Sequence, residues 1–286
     1  MANPAFRFGT VGAPASTPPR PGGSVGAVQH LAGLGLGALE LAWVQSVRVT
    51  EATCAAIRQA AQAVDILLSV HAPYYINLNA SADEWPKSRK RLMDAAQFGD
   101  LAGATDIVFH PGSYFGRPPE EVLQTAIPCL KGCVDELRQS GNPVRLRPEV
   151  MGKSAMLGSL EDVISMAQQV EGVEPCLDFA HLHARAGDGS MNAYEDWKRV
   201  LARYRRALGA DSLKRLHCHL SGIEYSAKGE RRHLMLKESD FDLSGLMRAL
   251  AELKCGGRIV CESPVMDEDA RLIQKAWERS LRRLTG

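Results

Sequence analysis

Six ionisable side chains each close a short strand-like run: His71 after Ile66-Leu-Leu-Ser-Val, His110 after Ile107-Val-Phe, Glu149 after Val144-Arg-Leu-Arg-Pro, Asp178 after Pro175-Cys-Leu, His219 after Leu216-His-Cys, and Glu262 after Ile259-Val-Cys. Three imidazoles and three carboxylates in one low-dielectric pocket repel and desolvate one another unless cations neutralise them. Mixed nitrogen and carboxylate donors without thiolates suit zinc or manganese better than calcium or magnesium, and a carboxylate can bridge two ions. Taken singly, a strand-end His or Asp is more often a capping or surface group. Six at equivalent points of successive runs make a metal site the stronger reading. His181 stands three residues after Asp178 and is aimed at a different point, towards a further ion, with His233 as its natural companion. His183 and His217 have no such pairing and are expected to support ligands or to pack.

These residues need elements that bring them to one place. Alternating patterns predict strands over 6–11, 38–44, 66–70, 106–109, 144–148, 175–179, 215–220 and 258–261. Amphipathic segments predict helices over 24–34, 50–64, 88–103, 119–140, 159–170, 193–208, 243–253 and 267–284, with Thr50 and Ser159 at helix starts. Strand, loop and helix thus recur eight times, which is the count of a single α/β domain over 1–286, a (β/α)8 TIM barrel. A doubly wound open sheet would ask for GxGxxG after the first strand, and none is present. The C-terminal strand ends of a barrel meet at one mouth, so the six residues converge there. Cys218 and Cys261 alternate with ligands along their strands and are expected to fill the layer between strands and helices.

The net charge of +1 over 286 residues excludes a strongly basic coat. Local basic clusters at 87–91, 203–206 and 231–232 are expected to be solvated faces. Seven cysteines without a CxxC pair fit a reduced cytoplasmic protein. The N-terminus carries no basic-then-apolar signal, and no apolar run approaches the ~18 residues of a membrane span.

The motifs His71-Ala-Pro-Tyr74-Tyr-Ile-Asn-Leu, Phe109-His110-Pro-Gly-Ser, Pro148-Glu149-Val-Met-Gly, Asp178-Phe-Ala-His181, His219-Leu-Ser-Gly and Cys261-Glu262-Ser-Pro resemble those of the endonuclease IV family, within the xylose isomerase-like barrels. They run from 71 to 264 in family order. The resemblance implies a deoxyribonuclease that cleaves duplex DNA 5′ to abasic sites with three zinc ions, manganese serving in some members. It implies that His71 and His110 hold one ion and that Glu149 bridges it to a second held by Asp178, His219 and Glu262. His181 and His233 would hold a third. Glu149 and Glu262 thereby become the catalytic carboxylates, Tyr74 the aromatic beside the extruded abasic nucleotide, and Arg48, by its place after the second strand, the arginine that enters the duplex.

The chain departs from that pattern in its first strand, whose Phe8-Gly-Thr-Val-Gly12 ending and proline-rich loop differ from the family's opening, and at the third ion. The family has Asp two residues before its final His, whereas here that position is Arg231, with Glu230 the nearest carboxylate. Two further readings stand beside the nuclease: a sugar isomerase or epimerase of the same superfamily, and a catalytically silent barrel that keeps metal for stability. No protein partner is implied.

Overall fold

Short runs that are apolar on both faces need cover on both sides, which a parallel sheet under helices supplies. The structure, a computed structural model that describes residues 6–285, follows this rule. The single-domain expectation also includes 1–5 and 286, which lie outside the described residues. In chain order the elements are β1 (Phe6–Val11), α1 (Gly23–Gly33), β2 (Ala38–Ala42), α2 (Glu51–Ala63), β3 (Leu67–His71), α3 (Trp85–Ala102), β4 (Asp106–Phe109), α4 (Pro119–Gln139), β5 (Arg145–Pro148) and α5 (Leu160–Gln169). There follow β6 (Cys176–Asp178), α6 (Phe179–Arg185), α7 (Tyr194–Leu208), β7 (Leu216–Leu220), β8 (Gly222–Ser226), β9 (Gly229–Leu234), α8 (Leu243–Glu252), β10 (Gly257–Cys261) and α9 (Asp267–Thr285).

Eight parallel strands lie in the order β5-β4-β3-β2-β1-β10-β7-β6. Bridges between Leu146 and Val173 and between Glu149 and Cys176 join the two outer strands, and the Val150 N–H donates to Cys176 O at 3.0 Å. The sheet is thereby a nearly closed TIM barrel. Helix side chains such as Leu31, Ile57, Leu92, Leu130, Ile164, Trp197, Leu250 and Ile273 are buried against it, and removal of this apolar surface from water is the main stabilising term. Cys218 and Cys261 belong to that layer, as expected.

Local chemistry sets the element ends. The Thr50 hydroxyl accepts from Thr53 N–H at 3.2 Å, and Ser159 forms a reciprocal capping box with Asp162. Gly9 lets β1 and β2 approach, because a Cβ there would lie 1.8 Å from Ala38 O. Strand β2 ends two residues before the predicted 44, and the Trp43 N–H that follows it donates to both Leu41 O and His71 O at 3.0 Å. Two elements were not anticipated. Helix α6 follows β6 without a loop, and the antiparallel hairpin β8–β9 occupies the segment expected to be a loop around His233.

The barrel interior is unusually polar. Asp106 on β4 accepts from Arg147 at 2.6 Å and from Arg258 of β10, across the barrel, at 2.8 Å. Nearer the mouth, Glu40 of β2 faces His217 and His219 of β7. No helix among the described residues is long and apolar enough to cross a membrane.

Candidate metal centre

All six strand-end residues meet at the mouth. His71 and Asp178 are the last residues of β3 and β6, His219 lies within β7, and His110, Glu149 and Glu262 immediately follow β4, β5 and β10. Glu149 is at their centre. Its carboxylate lies 3.3 Å from His71 Nε2, 3.2 Å from His110 Nε2, 3.1 Å from His219 Nδ1 and 3.5 Å from His181 Nδ1. Five compact donor groups lie among the described residues, the ligand atoms of each within 4.8 Å of one another, and three of them span the mouth: His71, His110 and Glu149; Glu149, Asp178, His219 and Glu262; and Asp178, His181 and His233. The other two, His71 with His219 and Glu262 and Cys176 with His217 and His219, share His219.

Whether these groups suit a cation follows from where their protons must be. A carbonyl or carboxylate oxygen only accepts, so an imidazole nitrogen facing one carries the hydrogen; the ring's other nitrogen then holds either a second proton, which makes the ring cationic, or a lone pair that a metal ion can take. His71 Nδ1 donates to Ala72 O at 2.9 Å, His181 Nδ1 to Val150 O at 2.9 Å, His233 Nδ1 to Glu262 O at 3.2 Å, and His219 Nε2 to Glu40 at 2.9 Å. The remaining nitrogens all point inward. His71 Nε2 thus faces Glu149 Oε2, itself buried without a hydrogen-bond donor, and Asp178 Oδ2 is buried and unpartnered as well. Without second protons on these rings, nitrogen and carboxylate would face each other at 3.1–3.5 Å as acceptor to acceptor, so the arrangement calls for either protons or a cation. The donor set therefore fits divalent metal.

The titration behaviour agrees. Burial pushes the Asp178 carboxyl up to about 6. Burial opposes protonation of His181, but Asp178, Glu149 and Glu230 together push it up to about 9. Without metal, the surplus carboxylates recruit a proton to the place where a cation would sit, so metal and proton compete there. For Glu149 burial acts upward, yet the surrounding histidines hold it well below the usual carboxylate range.

The elements explain the aim of each group. Asp178 ends β6 and caps α6, its Oδ1 accepting from His181 N–H at 2.7 Å, so the Asp-x-x-His spacing is that of a helix cap and its third residue. Sequence reasoning missed Glu40, which accepts from His219 and from His217 at 2.8 Å and from Ser69 at 2.7 Å. Its signal was a lone acid inside Ala38-Leu-Glu-Leu-Ala. Through Glu40, His217 is tied to His219, whereas His183 is spent on Met191 O and Asp240, away from the centre. Glu230 was also not taken as a ligand, and it lies 3.5 Å from His181 Nε2.

Tyr74 is 49% exposed and stacks on His110 at 5.0 Å between ring centres. It lines a pocket of about 180 Å³ with His71, His110, His181, His233 and Glu262. It also borders a groove of about 730 Å³ that holds Tyr75, Phe115, Arg91 and Arg117. Arg48 is exposed in the loop between β2 and α2 and lines neither. The basic clusters are largely paired within the chain, Arg203 with Glu161 and both Arg231 and Arg232 with Glu224, while Arg91 lies beside the Tyr75 ring in the groove.

Comparison with known proteins places this geometry. An uncharacterized protein of Methanocaldococcus jannaschii is 35% identical over 271 residues, 94% of this chain and 96% of that one. A protein of Oceanobacillus iheyensis named "Probable endonuclease 4" is 30% identical over 171 residues, so the alignment spans 57% of this chain and about half, 54%, of that relative. A solved D-tagatose 3-epimerase-like protein superposes with a TM-score of 0.73 at 15% identity, covering 98% of both chains, a likeness of fold alone. The profile of one family matches residues 28–285, and the chain belongs to that family, the xylose isomerase-like TIM barrels.

Proposed function

We propose that this chain is a metal-dependent phosphodiesterase of the endonuclease IV type, hydrolysing DNA on the 5′ side of abasic sites. The observation that carries the reading is the position of Glu149, one buried carboxylate common to two adjacent donor groups, with a third group alongside. An isomerase that polarises a hydroxyketone needs one or two ions and a carboxylate to move the proton. It has no use for His71, His110 and His181 all at one mouth.

Zinc, or manganese in its place, would supply Lewis acidity and a water of lowered pKa at such a centre. The chain's own residues do the rest. His71 and His110 would hold one ion, Asp178, His219 and Glu262 a second, with Glu149 between them, and His181 and His233 a third. Glu40 keeps His219 in the tautomer whose Nδ1 is free to bind. Tyr74, exposed above His110, is placed to meet whatever lies over the mouth, and its phenol is pushed up to about 12, chiefly by burial, so it stays protonated. Aromatic faces at Tyr75 and Phe115 beside Arg91 and Arg117 are the side-chain types that stack bases and hold phosphates.

Incubation with duplex oligonucleotides that carry one synthetic abasic site, beside an undamaged duplex and a panel of small sugars, tests the reading. Selective, metal-dependent nicking 5′ to the abasic site is expected. Conversion of a sugar without nicking would replace it by the isomerase reading.

A further inference from the structure

Strand β9 falls out of step with β8 at one point: Glu224 pairs with Arg232 and Tyr225 with Glu230, so Arg231 is an extra residue without a partner. In an unbroken strand Glu230 and His233, three residues apart, would leave opposite faces. One inserted residue returns them to the same face. The arginines record the same distortion, since Arg231 and Arg232 are neighbours in sequence yet both reach Glu224, at 2.6 and 2.7 Å. Regular alternation would send them to opposite sides.

The bulge brings Glu230 Oε2 to 3.5 Å from His181 Nε2, and that nitrogen lies 3.3 Å from His233 Nε2. Both rings are anchored through Nδ1, so these two nitrogens either share a proton or give their lone pairs to a cation. Space for the carboxylate is kept by glycine. A Cβ on Gly152 would lie 2.7 Å from Glu230 Cβ and 2.9 Å from both Glu230 Oε2 and His181 Cδ2. A Cβ on Gly229, at φ +92, would lie 2.3 Å from Gly152 O, the carbonyl that accepts the Glu230 N–H at 2.9 Å.

We infer that Glu230, delivered by this β-bulge, is the carboxylate ligand of a third cation site with His181 and His233. The inference rests on the metal-centre reading and adds to it a ligand one residue away from where the resemblance puts a carboxylate. Asp178 is the competing candidate. Its Oδ1 caps α6, its unpartnered Oδ2 also belongs to the donor group of Glu149, His219 and Glu262, and the His181 nitrogen that Oδ2 approaches, Nδ1 at 3.3 Å, is committed to Val150 O. Two imidazoles and one carboxylate would hold such an ion beside the pocket that Glu230, His181 and His233 line.

The test is zinc stoichiometry of the full chain. Protein stripped by a chelator is titrated with zinc chloride against a chromophoric competitor, with circular dichroism as the control for fold. Wild type is expected to bind three ions. Isosteric Glu230→Gln and space-filling Gly152→Ala are each expected to bind two, with affinity for the third weakened at least ~10-fold and the spectrum unchanged. Three ions bound by Glu230→Gln with wild-type affinity would overturn the role of Glu230. Two ions on wild type would overturn the third site alone, and none would overturn the metal centre itself.

Discussion

At the scale of residues, the account depends on lone pairs more than on residue types. Glu149 and Asp178 each bury an oxygen that has no donor, and four histidines are anchored on the nitrogen that faces away from the centre. Replacing Glu149 by Gln keeps its shape and removes the charge common to two donor groups. Hydrolysis of the abasic duplex should then fall by at least ~10²-fold, and near wild-type turnover would count against the assignment. Glu40→Gln makes a finer prediction, because Glu40 reaches the centre only through His219. Zinc affinity should weaken ~10–100-fold, and unchanged affinity would count against this role. The ligands proposed from strand-end spacing could be read from the sequence because each ends a recognisable run. Glu40 could not, since an acid inside an apolar strand gains meaning only when His217 and His219 arrive from across the barrel.

At the scale of elements, the repeated strand and helix patterns were legible because long amphipathic helices and apolar runs carry strong periodic signals. Helix α6 and the β8–β9 hairpin were not. The first spans seven residues, buried apart from its last, Arg185, so it has no polar face to reveal a period; the second is polar and bulged, so its alternation breaks at Arg231. These two short elements carry His181 and His233 of the third donor group, with Glu230 beside them, which is why that group was the least legible part of the centre. The long elements make a plainer prediction at Gly9, whose absent side chain lets β1 lie against β2. Gly9→Ala would drive a Cβ into Ala38 O, and thermal or chemical unfolding should register a loss of about 3 kcal/mol or more. A variant as stable as wild type would show that the two strands can shift apart.

At the scale of the whole molecule, the barrel is held from below by charge as well as by apolar cover. Burial acts to raise the Asp106 carboxyl, but Arg147 and then Arg258, His217 and Arg145 hold it well below the usual range. An unfolded aspartate titrates near ~3.9, so this stabilisation is present above that pH and is lost as pH falls through the lower folded value. Asp106→Asn leaves buried arginines uncompensated and should destabilise the fold by about 3–5 kcal/mol at neutral pH. The gap between variant and wild type should begin to close as pH falls below ~3.9, where the carboxyl protonates in the unfolded chain, and go on closing towards the lower folded value. A gap that stays constant with pH would mean that Asp106 contributes by packing rather than by charge.

The central claim is that these eight parallel strands assemble one metal centre around Glu149. Anomalous diffraction at the zinc edge, from crystals of the full chain grown with zinc, tests it most directly. The account predicts peaks between His71, His110 and Glu149, between Glu149, Asp178, His219 and Glu262, and between His181, Glu230 and His233. A barrel mouth without any anomalous peak, with zinc found only on surface carboxylates, would contradict it.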